Sequence, residues 1–175
     1  MYDFAQVLTK IECIVNSGIE LGLDYENTHH LRLEIPKESQ FPKYVYNAKN
    51  LCTLILVYQS GYNLSNLFQH FRCLRLLTLN CQDDDMFKEL PGSVENFIHL
   101  RYLNLVNYCG YVLTETICNL CNLQILKISF GIARVKKLLQ GMGKLINLRH
   151  LILDSGTKPG FEPRGGQSMN QNNFK

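Results

Sequence analysis

Six apolar residues recur five times on one spacing, with internal steps of 4, 3, 3, 3 and 2 positions. The first set is Phe41, Val45, Ala48, Leu51, Leu54 and Leu56, and the second is Leu64, Phe68, Phe71, Leu74, Leu77 and Leu79. Leu90, Val94, Phe97, Leu100, Leu103 and Leu105 follow, then Leu113, Ile117, Leu120, Leu123, Leu126 and Ile128. Leu138, Met142, Leu145, Leu148, Leu151 and Leu153 close the series. Every one of these positions is apolar, whereas the 46% apolar content of the chain alone predicts about fourteen of the thirty. Self-similarity at a fixed period of this size implies stacked supersecondary units that share one core, not a single globular packing.

Measured from the first leucine of L-x-x-L-x-L, the units start at Leu51, Leu74, Leu100, Leu123 and Leu148, at intervals of 23, 26, 23 and 25 residues. The variation falls entirely between one set and the next, where surface loops tolerate length changes. A partial sixth unit, Thr28, Leu31 and Leu33, lies 23 residues before the first. The closing Leu-x-Leu has a period of two and suits a short strand, while the preceding steps of 4 and 3 fit a helical or 3₁₀ turn. The predicted fold class is therefore α/β: a solenoid with parallel strands on its concave face, and turns and loops on its convex face. Each buried leucine adds about 1.5–3 kcal/mol of favourable transfer.

The spacing predicts an amphipathic helix over 1–15, built on Phe4, Val7, Leu8, Ile11, Ile14 and Val15. Residues 16–27 are expected to be a linker, 28–153 the repeat domain of about six units, and 154–175 a disordered tail rich in Gly, Pro, Asn and Gln. Because that tail lacks the polar-faced terminal unit that repeat stacks need, the chain is expected to be a fragment cut at both ends.

Charge is nearly balanced, with 18 basic and 15 acidic side chains, and gives no argument for nucleic acid. No stretch approaches the roughly 20 apolar residues of a membrane span, and the N-terminus lacks the pattern of a secretory signal. The seven cysteines are scattered and odd in number, which fits reduced thiols and a cytoplasmic protein. No cofactor, metal or catalytic constellation is expected. Cys118-x-x-Cys121 has no second ligand pair at zinc spacing, and both cysteines flank the template residue Leu120. Asp83-Asp84-Asp85 is expected to be a solvated loop, and Arg75, Arg101 and Arg149 a surface charge row with phosphate binding as its sharper alternative.

Alternation along the strands points three rows of side chains out of the concave face. The first is His30, Thr53, Leu76, Tyr102, Ile125 and His150; the second is Arg32, Ile55, Thr78, Asn104, Lys127 and Ile152. The third is Glu34, Val57, Asn80, Val106, Ser129 and Asp154. The first two rows are the expected protein-binding residues, since apolar and aromatic side chains grouped on a surface mark interaction sites.

The units match the leucine-rich repeat. The text Glu89-Leu90-Pro91-x-x-Val94-x-x-Phe97-x-x-Leu100-Arg101-Tyr102-Leu103-Asn104-Leu105 resembles repeats of plant intracellular disease-resistance proteins, the coiled-coil class of nucleotide-binding leucine-rich-repeat immune receptors. Thr116-Ile117-Cys118-Asn119-Leu120-Cys121-Asn122-Leu123-Gln124 and Gly141-Met142-Gly143-Lys144-Leu145-Ile146-Asn147-Leu148-Arg149 add to the resemblance, which covers about residues 28–153. Asp3-Phe4-Ala5-Gln6 looks like the helix preceding the family's repeats. The family's P-loop does not carry over, because Leu138 stands at the first glycine position and Leu145 at the Mg²⁺-binding hydroxyl. Thr114 and Leu139 replace the repeat's proline, and Cys81 and Cys109 miss the usual Asn/Cys ladder slot by one. The resemblance implies a non-catalytic recognition module, with the receptor's nucleotide-binding core and an effector or guarded host protein as partners. The alternatives are a substrate-recruiting repeat of a ubiquitin-ligase complex and a truncated product without independent activity.

Overall fold

Alternation of the kind carried by Leu54 and Leu56 or Leu103 and Leu105 buries one face of an extended segment, and seven such segments pair side by side. The computed structural model describes residues 13–16, 25–36, 41–59, 61–82, 90–108, 115–130 and 142–155. Its strands are β1 (Cys13–Asn16), β2 (His30–Glu34), β3 (Thr53–Tyr58), β4 (Leu76–Cys81), β5 (Tyr102–Tyr108), β6 (Ile125–Phe130) and β7 (His150–Ser155). They lie in chain order in one sheet, and every neighbouring pair is parallel. Parallel neighbours require crossovers, and here each crossover between β2 and β7 passes through a short turn on the far side of the leucine core.

Those turns are 3₁₀ segments at Lys43–Asn47, Gly92–Asn96, Glu115–Asn119 and Met142–Lys144, and one α-helical turn, α1 (Leu64–Phe68). Pro42 and Pro91 open the first two, with φ of −59° and −62° that already suits helix entry. Their carbonyls accept from Val45 and Val94, the second template residue of each unit. In α1 the start is set differently: the Asn63 side chain accepts from the Ser65 amide at 3.1 Å.

The template residues form the core. All six of the second unit and all six of the third are buried, from Leu64 to Leu79 and from Leu90 to Leu105. Phe68 and Phe97 meet across that boundary with ring centroids 5.1 Å apart. Leu113 and Leu138 lie outside the described residues. In the fifth unit the rule fails, since Leu151 is 39% and Leu153 44% exposed. They belong to β7, the edge strand, so no further rung packs against their outer side among the described residues.

The sheet begins earlier than the periodicity predicts. Residues 13–16, assigned above to the end of a helix and the start of a linker, are strand β1, with Cys13 in register with Leu31 and Val15 with Leu33. The β-branched pair Ile14-Val15 suits a strand, and pairing with β2 overrides a local helical spacing. Tyr25–Asn27, within the expected linker, is a 3₁₀ turn. At the other end β7 extends two residues into the segment expected to be tail. Residues 1–12 and 156–175 fall outside the described residues, as do Asp83-Asp84-Asp85 and Cys109.

β5 carries one irregularity. Leu105 pairs with Ile128 but Tyr108 pairs with Phe130, so β5 holds one more residue than β6 over this stretch. Asn107 sits there at φ 58°, a left-handed conformation that Asn tolerates, and its amide donates to the Cys81 carbonyl at 2.9 Å. Tyr58 and Cys81, two residues after the Leu-x-Leu pairs of β3 and β4, are buried, as is Tyr108, three residues after Leu105.

Candidate concave interface and strand-start pocket

Backbone hydrogen bonds fix where each strand begins. The carbonyls of His29, Cys52, Arg75, Arg101 and Gln124 each accept two amides from the next unit, at 2.8–3.1 Å, so the residue after the first template leucine is held on every rung. One residue before that leucine, a side-chain ladder runs alongside. Asn50 donates to the Glu26 carbonyl at 3.1 Å, Asn122 to Ile98 at 2.7 Å and Asn147 to Cys121 at 2.8 Å. Each bond ties one unit's turn to the turn of the unit before it. Sequence reasoning missed this ladder, yet its signal is plain: Asn-Leu precedes the strand at Asn50-Leu51, Asn122-Leu123 and Asn147-Leu148.

With the strands so anchored, the expected concave rows are the observed rows. His30, Thr53, Leu76, Tyr102, Ile125 and His150 are paired strand to strand, and so are Arg32, Ile55, Thr78, Asn104, Lys127 and Ile152. Their surroundings divide them. Thr53, Ile55 and Leu76 are 3%, 7% and 6% exposed, and Val57 beside them is buried too. These three are corrected from solvent-facing contacts to buried residues: alternation fixes the face a side chain takes, not what lies over it. Arg32 and Glu34 are half-exposed and pair with each other.

The open part of the concave face lies on β5 to β7. Tyr102, Asn104, Ile125 and Lys127 are half-buried there, while His150, Ile152 and Asp154 are exposed. Burial pushes the Tyr102 phenol above its ordinary range. Asn104 Oδ1 is buried with no hydrogen-bond partner, an acceptor aligned with Lys127 on the next strand. This patch combines an aromatic ring, two isoleucines and one amine on a rigid sheet.

A second feature sits where the strands start. Arg75, His99, Arg101, Asn122, Gln124 and Asn147 line a pocket of about 220 Å³. The recurrence of arginine after the first leucine was legible as a charge row, but its closure into a pocket needs His99 and the two asparagines of the ladder.

The remaining candidates resolve simply. Cys118 is buried and Cys121 exposed, and both are free thiols, as are Cys52 and Cys73, while Cys81 is buried. Burial raises the Cys118 thiol, with Lys144 opposing and Glu115 adding. Among the described residues no group of three metal-ligating side chains converges. Met142–Lys144 is a convex 3₁₀ turn and Leu145 is a core residue, so Gly141-Met142-Gly143-Lys144-Leu145 is repeat text. No helix among the described residues is long and apolar enough to cross a membrane.

A family profile described as "Leucine-rich repeat region" matches residues 53–171, and the chain belongs to that family. Leucine-rich repeats are in general non-catalytic modules for protein interaction. Among solved structures, a leucine-rich-repeat protein of Leptospira interrogans superposes with a TM-score of 0.58 at 20% identity, over 87% of this chain and 34% of that one. An internalin from Listeria monocytogenes gives a TM-score of 0.37 at 15% identity, over 74% of this chain and 48% of its own length. The chain thus spans about a third and about half of these two proteins. The first likeness shows the shared solenoid fold. No curated protein matches the sequence.

Proposed function

We propose that this chain is the recognition module of a plant intracellular immune receptor, acting in the cytoplasm without catalysis. Its concave face over β5 to β7 contacts the receptor's nucleotide-binding core to hold it inactive, and it takes part in reading a pathogen effector or a guarded host protein. The observation that carries the reading is the patch of Tyr102, Ile125 and Ile152 around Lys127, apolar area left accessible on a sheet whose leucines from β2 to β6 are buried. Supporting the receptor assignment is the sequence text of the third unit. There Leu90-Pro91 opens a 3₁₀ turn and Leu100-Arg101-Tyr102-Leu103 leads into the strand.

The test is co-precipitation of the chain with the nucleotide-binding region of its parent receptor, beside a Tyr102→Ala/Ile125→Ala variant shown by circular dichroism to keep the fold. Wild type should retain the partner and the variant should lose most of it. Equal retention would remove the concave face from the interaction.

A further inference from the structure

None of the residues lining the strand-start pocket belongs to the concave rows, so protein recognition by β5 to β7 leaves it unassigned. We propose that it is an oxyanion site that takes one phosphoryl or carboxylate group.

The walls are built for that chemistry. Arg75 and Arg101 hang from adjacent rungs of a parallel sheet, whose spacing is about 4.8 Å. Their carbonyls are each committed to two amides of the next unit, so the two guanidinium groups start from fixed points. Two such forks lining one pocket present more donors than one oxyanion needs, each in the planar form that suits carboxylate and phosphate. His99 and Gln124 add further polar groups to the lining. Asn122 and Asn147 are held in place by their own bonds to the Ile98 and Cys121 carbonyls, which keeps that wall in position.

The charge is uncompensated. All six lining residues are polar, two are arginines and none is a carboxylate. Neither Arg75 nor Arg101 pairs with an acidic side chain among the described residues, whereas Arg32 on the concave face is neutralised by Glu34. Burial raises the Cys52 thiol above its ordinary range although Arg75 opposes the shift. Size narrows the occupant. About 220 Å³ falls below the roughly 300–1,000 Å³ of pockets that enclose a whole small molecule, so the fit is to one charged group.

Isothermal titration of the full chain with inorganic phosphate and with acetate, at constant ionic strength, tests the site. Saturable binding of one equivalent is expected. Arg75→Gln/Arg101→Gln should weaken it by about tenfold or more, the equivalent of one charge-assisted hydrogen bond. Arg149→Gln, next in the row but outside the pocket, should leave it unchanged, and Arg75→Lys/Arg101→Lys should fall between. Tighter binding of a phosphoserine tetrapeptide than of its glutamate counterpart would assign a phosphoryl group, and the reverse a carboxylate. Absence of saturation by every one of these anions would overturn the proposal, as would equal affinity in wild type and the Gln double variant. Tyr102→Ala/Ile125→Ala should bind phosphate normally, so failure of this site and failure of the concave interface are read separately.

Discussion

Phe68 and Phe97, the second and third template residues of successive units, pack with ring centroids 5.1 Å apart and planes inclined at 59°. Both are essentially inaccessible to water, at 1% exposure each. The contact spans the longest interval in the repeat, 26 residues, and joins α1 to the 3₁₀ turn of the following unit. Convex packing therefore holds the stack at the place where the loop between units is longest.

Truncating either ring should open a cavity in that joint. Phe97→Ala is expected to cost about 3–5 kcal/mol, as is typical of buried phenylalanine truncations. The double variant Phe68→Ala/Phe97→Ala should cost less than the two singles together by about 0.5–1.5 kcal/mol, the coupling of a tilted aromatic pair. Urea midpoints of the four proteins close the cycle, and strict additivity would mean that the rings do not stabilise each other.

The register of β5 makes a sharper prediction. Leu103 is fully buried and its neighbour Asn104 is half-buried on the opposite face. Leu103→Asp places an unpaired charge in the core and should unfold the stack, a loss of several kcal/mol. Asn104→Leu removes an acceptor, Oδ1, that is buried without a partner, and should be neutral or slightly stabilising. Thermal melts of the two variants decide the register, since a one-residue slip would exchange their effects.

The asparagine ladder should contribute measurably but modestly. Asn122→Ala removes the 2.7 Å bond to the Ile98 carbonyl at an exposed turn, at an expected cost of about 0.5–1.5 kcal/mol. Asn96→Ala, an exposed asparagine in the preceding convex turn, should stay within about 0.5 kcal/mol of wild type. Equal effects would show that the ladder is incidental to stability.

Much of this architecture is legible in the residues because two constraints coincide. Leu54, Leu77, Leu103 and Leu126 recur at a fixed place in a period-two pair, so strand position, facing and register follow from one alignment. The upstream strand did not yield to that alignment. β1 is four residues long and sits 18 residues before its partner positions in β2, against 23 from β2 to β3, and Ile11, Ile14 and Val15 also satisfy a helical spacing. Nor does alternation disclose cover, which is why Thr53, Ile55 and Leu76 were expected in solvent and are buried. The extra residue in β5 follows from Asn107 taking a left-handed backbone, a choice no hydrophobic pattern records. The pocket needed tertiary placement: Arg75 and Arg101 are a row in the sequence, and share a pocket with His99, Asn122, Gln124 and Asn147 only in the folded stack.

Alkaline pH should reveal the burial of the Tyr58 phenol. Tyr58 is 3% exposed, and burial, helped by the nearby Cys81 thiol, raises its pKa well above the ordinary 10.0. A group whose folded pKa is raised contributes stability that is complete below the unfolded value and lost as pH climbs above it. Between the ordinary tyrosine pKa and its folded value, Tyr58 should therefore lower stability by about 1.4 kcal/mol per pH unit. Tyr58→Phe carries no ionisable proton and lacks that slope, while the other titrating groups remain common to both proteins. Urea midpoints from pH 8 to about 11.5 should run parallel for wild type and variant below the ordinary phenol range. Above it they should diverge, with wild type losing stability faster; parallel curves throughout would mean that the Tyr58 phenol ionises as readily folded as unfolded.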